Sequence, residues 1–400
     1  MKSNRSTNAA LTLTTLPEEL IMEILTKLAL PELRQMTLVS RLFGRLARDT
    51  HLWKGLFFTV PPSTGVPNSR LWCTTVVVNS KMYLFGGHTT QESTNLISDV
   101  KSDLYEYDFE TRVWTPLDHE MGGKTEHKCV PYNNCLWFTG GYNGHDYTND
   151  TYTFDPITRT SAIVQTTGER FSPRSALTVG IWVGKMYTFG GWNGFTRKWF
   201  NDVHELDLET KTWRHINPRG VPPVQRTSHA SVIRDGKMYI FGGFSGENYL
   251  NDLWELDIAT ETWTDISEDS YGQRPAPRSR FCAAVYGDCM YILGGWNKVG
   301  YFEDLHSFNF VTKMWTKIDN LLGGPPSISQ YSFSIHKNLL YVFGGYCSKR
   351  KECVNDLLVY RFPEDEGRGE AAAEEPPKKR SREASISMPR KMFEEVVSSC

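Results

Sequence analysis

Long apolar runs are missing from this 400-residue chain; no stretch approaches the roughly 18 to 20 residues that a membrane-spanning helix needs. The opening MKSNRSTNAALTLTTLP holds no apolar run of signal-peptide length, so the expected compartment is cytoplasm or nucleus. An excess of charge of either sign is also missing. With 44 Lys and Arg against 46 Asp and Glu, the net charge is −2, too little field to draw in a polyanion, and nucleic acid is not expected as the main partner. The eight cysteines (73, 129, 135, 282, 289, 347, 353 and 400) form no C-x-x-C pair. That argues against zinc clusters and a disulfide frame, leaving only Cys347 and Cys353 as a weak metal or redox pair. No nucleophile elbow, HExxH or Walker loop occurs, so no catalytic residue, metal or cofactor is assigned.

What the chain has in quantity is one strand written six times. KMYLFGG at 81–87 returns as CLWFTGG at 135–141, KMYTFGG at 185–191, KMYIFGG at 237–243, CMYILGG at 289–295 and LLYVFGG at 339–345. The diglycines begin at Gly86, Gly140, Gly190, Gly242, Gly294 and Gly344, a period of 50 to 54 residues, which signals a propeller or solenoid. Sixteen residues before each stand Arg70, Lys124, Arg174, Arg226, Arg278 and, breaking the series, Ile328. Downstream, Asp103, Asp150, Asp202, Asp252, Asp304 and Asp356 open another strand. A turn follows at Asp108, Asp155, Asp207, Asp257 or Asn309, and six residues on comes Trp114, Trp213, Trp263 or Trp315, with Ser161 in the second repeat.

Each unit reads as four short strands. Side chains alternate along a strand, and in KMYLF both alternating sets are apolar, so both faces must be covered. A two-sheet sandwich leaves each sheet one wet face; blades around an axis press both faces onto neighbours. The expectation is therefore a mainly β, six-bladed propeller over residues 56–362. Its sixth unit stops at DLLVYRF, without an outer strand. WKGLFFTVPPSTGVPNSR at 53–70 can be laid beside WRHINPRGVPPVQR at 213–226, so residues 56–60 are candidates to close that blade, the alternative being a plain linker. The diglycine, the spaced Asp-aromatic-Asp strand and the Trp resemble the kelch repeat, and the resemblance covers about residues 70 to 362.

Residues 13–55 have a different period. Leu20, Ile24 and Leu28 recur every four residues behind Pro17, which marks a small helical unit with more apolar positions than forty residues can hide. Leu16-Pro17, EELIMEIL, LPEL at 30–33, VSRLF at 39–43 and HLW at 51–53 resemble an F-box. That resemblance implies docking to a Skp-type adaptor of cullin-RING ubiquitin ligases. Carried over by position, Leu16, Pro17, Leu20, Ile24, Leu28, Leu33 and Val39 are the adaptor-binding candidates. The alternative is that these helices only cap the propeller.

Successive strands reverse, so the loop after strand two and the entry to strand one share a face of the disc. His88, Tyr142, Trp192, Phe244, Trp296 and Tyr346 follow the diglycines there. Rings with cations around a concave mouth suit peptide recognition. The expected target-binding set is Arg70, Lys124, Arg174, Arg226 and Arg278 with Tyr142, Trp192, Phe244, Trp296 and Tyr346. Kelch adaptors that this chain resembles bind acidic peptides there, so the implied target is a protein with an acidic segment. His127 and His229 are expected in the core.

Residues 1–12 and 363–400 are expected to be disordered. In the tail, PPKKRSR reads as an import signal or as a solvated charge run. The combined reading is a non-catalytic ligase adaptor, with a non-ligase kelch scaffold and a kelch-propeller enzyme as alternatives. Against the enzyme, no glutamate begins the E-x-x-x-D-x-x-x-H iron motif of plant specifier proteins.

Overall fold

The computed structural model describes residues 57–59, 64–90, 97–318 and 327–362. The helical unit read at 13–55 and the tail at 363–400 lie outside them.

The repeated strand is the second of four in each blade. From the axis outwards, blade one is Thr74–Val78, Lys81–Phe85, Leu104–Asp108 and Trp114–Leu117, all antiparallel. Blades two to five repeat that order from Lys128–Tyr132, Thr178–Trp182, Ala230–Arg234 and Cys282–Tyr286. Blade six runs Ser332–His336, Leu339–Phe343 and Leu357–Arg361, and its outer strand is Phe57–Thr59, in register Phe57↔Tyr360 to Thr59↔Leu358. The first and last described parts of the disc thus share one sheet.

Covering both faces of the second strands produces six apolar clusters among the described residues, one at each junction between blades. Met82 and Leu84 face blade six with Phe343 and Val359, while Tyr83 and Phe85 face blade two with Leu136 and Phe138. Met82, Leu84 and Phe85 are all but inaccessible, and side chains of this size contribute about 1.5–3 kcal/mol each when fully buried. Blade packing therefore drives closure. The lysine and tyrosine of KMY have a separate duty: Lys81 Nζ donates to Glu106 Oε1 at 2.5 Å and Tyr83 Oη to Glu106 Oε2 at 2.9 Å.

A ring of backbone hydrogen bonds closes around the axis. The N–H of Trp72 donates to the carbonyl of Gln330 (2.8 Å), Glu126 to Trp72 (3.2 Å), Ala176 to Glu126 (3.0 Å), Ser228 to Ala176 (3.2 Å), Arg280 to Ser228 (3.0 Å) and Gln330 to Arg280 (3.2 Å). All six residues are left-handed, with φ between 50° and 62°, a conformation that costs a non-glycine residue about 1–3 kcal/mol unless its surroundings impose it. A bond to each neighbouring blade imposes it here.

The outer edges differ. Links between blades lay Thr167–Gly168 parallel to Thr212–Trp213 and Tyr271–Gly272 parallel to Met314–Trp315. Arg219 bridges Thr262, and Thr64 accepts from Trp114 N–H. Blade two, where Ser161 replaces the tryptophan, has no such strand. Its link only brings Glu120 N–H to Ser161 Oγ at 3.0 Å, and Thr160, Ala162 and Ile163 are exposed.

Candidate functional site

The basic series is buried rather than displayed. Arg70, Arg226 and Arg278 are 0% exposed and Arg174 1%. Each arginine donates through Nη1 to the carbonyl of its own first glycine, Gly86, Gly190, Gly242 or Gly294. Each also grips the downstream aspartate with both Nη atoms: Asp103 at 2.5 and 2.8 Å, Asp252 at 2.8 and 2.7 Å, Asp304 at 2.6 and 2.9 Å, and Asp202 likewise. The expectation that these four arginines meet a target is corrected. The guanidinium fork is used where a glycine turn leaves a carbonyl that needs a donor, and a side chain with no accessible surface has none to offer a ligand.

Lys124 is 3% exposed and also belongs to the interior, its Nζ donating to Thr148 Oγ1 at 2.8 Å. Burial lowers its ammonium to about 8, with Asp150 opposing. In blade six, Ile328 fills the arginine position and is buried; Arg350, from the loop after strand two, reaches Asp356 instead.

The diglycines explain why this face is built tightly. Gly86 and Gly87 have φ of 66° and 94°, and a Cβ on either would meet the carbonyl of Lys124 or Leu71 at 2.2 or 2.6 Å. The second glycine of each blade donates to the carbonyl at the basic position of the next, from Gly87 to Lys124 at 2.8 Å round to Gly345 to Arg70 at 2.9 Å.

The aromatic series does come together. Tyr142, Trp192, Phe244, Trp296 and Tyr346 are all partly exposed. Each begins a short arm whose return carries a partner, and in four arms that partner is a second aromatic ring: Tyr142–Tyr147 (5.1 Å between centroids), Trp192–Trp199 (5.3 Å), Phe244–Tyr249 (5.0 Å) and Trp296–Tyr301 (6.5 Å). Arms touch across blades through Tyr147–Trp192, Tyr249–Trp296 and Tyr301–Tyr346. Phe195, 65% exposed, caps Tyr142 and Tyr147. The second aromatics were missed from sequence, although a ring five or seven residues after the first was there to be read. In blade one His88 is buried instead, its Nδ1 2.7 Å from Thr125 Oγ1.

Inside this crown lies an axial channel whose rim includes Trp72, Glu126, Arg280 and Gln330. These positions, two residues past the basic slot, were not singled out from sequence, because nothing in their side chains announces a left-handed backbone. Arg280 lies 5.2 Å over the Trp296 ring. Glu126 accepts from Ser175 Oγ at 2.5 Å; burial raises its carboxyl, while Ser175 and Arg280 pull it down. His127 and His229 sit deeper, bonded to Thr74 and Thr178 Oγ1 at 2.8 and 2.9 Å, and burial lowers both imidazoles.

Comparison with known proteins agrees with this architecture. Overlapping matches at 46–243, 126–345 and 217–394 fit the KLHDC2/KLHL20/DRC7 Kelch-repeats domain, and residues 13–59 fit the F-box-like family. The chain is 31% identical over 269 residues to the leucine-zipper-like transcriptional regulator 1 homolog of Drosophila melanogaster, covering 62% of this chain and 27% of that protein. It is 27% identical to acyl-CoA-binding domain-containing protein 4 of Arabidopsis thaliana, covering 75% and 47%. It is also 27% identical to human Kelch domain-containing protein 3, covering 70% and 78%. The chain thus spans less than half the length of the first two relatives. Six diglycine blades in a closed ring, with a family match running through all of them and an F-box-like segment before them, make this chain an F-box protein of the Kelch-repeat family.

Proposed function

We propose that the chain is the substrate-recognition subunit of an SCF-type cullin-RING ubiquitin ligase. The F-box-like segment would bind a Skp-type adaptor through Leu16, Pro17, Leu20, Ile24, Leu28, Leu33 and Val39, all outside the described residues. The aromatic crown would hold a protein target. Transfer of ubiquitin belongs to other enzymes of the assembly.

One observation carries this reading. The F-box-like match ends at residue 59, inside the strand Phe57–Thr59 that is hydrogen-bonded into blade six. Phe57 pairs near Arg361, at the end of the blade remote from Gly344 and Gly345. The chain therefore enters the disc on the face opposite the crown. Large partly exposed rings contribute disproportionately to protein interfaces. With the four arginines turned inward, Arg280 is a cation at the channel rim suited to an acidic target segment.

The test is a pull-down with purified Skp-type adaptor. Wild type retains it and the Leu20→Asp, Ile24→Asp double variant does not; equal retention by both would leave the scaffold reading in its place. In parallel, Trp192→Ala with Trp296→Ala should release targets while keeping the adaptor.

A further inference from the structure

Blade three carries a side-chain group that the crown does not use. In blades four and five the residue two past the aspartate orients the carboxylate: Trp254 Nε1 donates to Asp252 Oδ2 at 2.7 Å, and His306 Nε2 lies 3.0 Å from Asp304 Oδ2 with its Nδ1 2.8 Å from the Gln273 carbonyl. Both rings are satisfied. The equivalent His204 is not. Its side chain is buried, its Nδ1 has no hydrogen-bond partner, and the nearest oxygen of Asp202 stands 3.8 Å away.

That gap has a second donor beside it. His204 pairs across the sheet with His215, so both rings lie on one face of the blade, 4.7 Å apart. One ligand atom from each of Asp202, His204 and His215 falls within 4.8 Å of the others. Two donors bound at about 2.0–2.1 Å to one tetrahedral ion stand a little over 3 Å apart, so 3.8 Å is too long for a hydrogen bond yet closes onto an ion with a small side-chain shift. Phe171 walls the group, 6.2 Å from His204, and the half-buried His215 leaves a way in.

We propose that Asp202, His204 and His215 form a binding site for one divalent transition-metal ion. Two imidazoles and a carboxylate suit zinc and its neighbours, not magnesium or calcium, whose preferred ligands are all oxygen. Three protein ligands leave a fourth position for water or a partner's side chain. A neutral imidazole is the form that ligates. Arg174 donates to both oxygens of the same carboxylate, so Asp202 would ligate through the remaining lone pair of Oδ2, the oxygen that faces His204. Since that arginine already neutralises the aspartate, the loaded site is cationic and its affinity falls below that of an all-anionic cage.

The experiment uses the full chain, stripped with a chelator and titrated with zinc chloride by calorimetry, with cobalt(II) absorption as a second readout. The expected result is one ion per chain, cobalt bands of nitrogen and oxygen ligation, and at least a tenfold loss of affinity in His204→Ala and in His215→Ala. His145→Ala, exposed and remote, should leave binding unchanged. If His204→Ala does not fold, His215→Ala on the blade surface carries the test. Absence of saturable binding, an unchanged isotherm in His215→Ala, or a thiolate band lost with Cys347→Ser or Cys353→Ser would each overturn the proposal.

Discussion

Arg226 and Asp252 meet fork to fork, at 2.8 and 2.7 Å, with the arginine side chain wholly buried and the aspartate 26% exposed. The same arginine serves Gly242 and the carbonyl of Val224, so one side chain fastens a diglycine turn, a loop and the start of the third strand. Removing one partner of a buried pair strands the other's charge. Arg226→Ala should cost about 3 kcal/mol, the lower end of the roughly 3–5 kcal/mol range because the aspartate reaches solvent. Urea unfolding measures it.

Blade six offers the contrast. Arg350 answers Asp356 from a side chain that is 48% exposed, and an exposed pair contributes only about 0–1 kcal/mol. Arg350→Ala should therefore shift the urea midpoint far less than Arg226→Ala. Equal losses would mean that the Arg350 pair is as much a part of the fold as the buried ones.

The blade count and strand order were legible because apolar periodicity and glycine placement act locally: a strand with two apolar faces has few places to go. The role of the arginines was not. A basic residue at a fixed interval looks the same in sequence whether it awaits a ligand or satisfies a turn, and only the matching aspartates, Asp103, Asp202, Asp252 and Asp304, hint at the second. Their regularity was the available signal, and it was read as strand punctuation. The crown aromatics were found where they follow glycine and missed at Tyr147, Trp199, Tyr249 and Tyr301, where arms of different length move them out of phase. The site at His204 and His215 depends on cross-strand register, which single-chain spacing does not display.

Stability should fall with acid in two windows. His88 is buried, and burial lowers its imidazole to about 4, below its unfolded value of roughly 6.5. The unfolded chain therefore takes up the proton first, and stability declines as pH falls from about 6.5 towards 4. For Asp304, burial alone would raise the carboxyl, but Arg278 and His306 outweigh it and hold it well below the usual range. Its contribution is complete above the unfolded value near 3.9 and is lost as pH falls further. In denaturant titrations at stepped pH, His88→Gln should make the upper window shallower without abolishing it, because His127, His204 and His229 are also lowered by burial, and should leave the lower window unchanged. An unchanged slope between pH 6.5 and 4 in that variant would remove His88 from the account.

Blade two should have a more open edge than blades one, three, four and five, whose outer strands pair with the linking segments. Val164 N–H donates inward to Thr151 at 2.8 Å, so by alternation the amides of Ser161 and Ile163 point outward, where the sister residues Trp114 and Trp263 donate to Thr64 and Arg219 at 3.2 and 2.9 Å. An unpaired edge amide exchanges with solvent sooner than a paired one. Hydrogen exchange followed by mass spectrometry should show the peptide around 160–163 exchanging well ahead of that around 261–264. Matching rates would mean that something covers the edge.

The strand Phe57–Thr59 closes the disc, so where the chain is cut should matter over a few residues. Pairing with Leu358, Val359 and Tyr360 satisfies an edge that would otherwise present free N–H and C=O groups of an apolar strand to solvent. A chain beginning at residue 56 keeps this pairing, and one beginning at residue 61 loses it, while both lack the F-box-like segment. The shorter chain should melt about 3 °C lower or more, the scale of shift that roughly 2 kcal/mol produces in a domain of this size, and should scatter light on heating because blade six then ends in Leu357–Arg361. If the two chains melt together without aggregation, the closing strand contributes nothing and packing between blades one and six alone holds the ring.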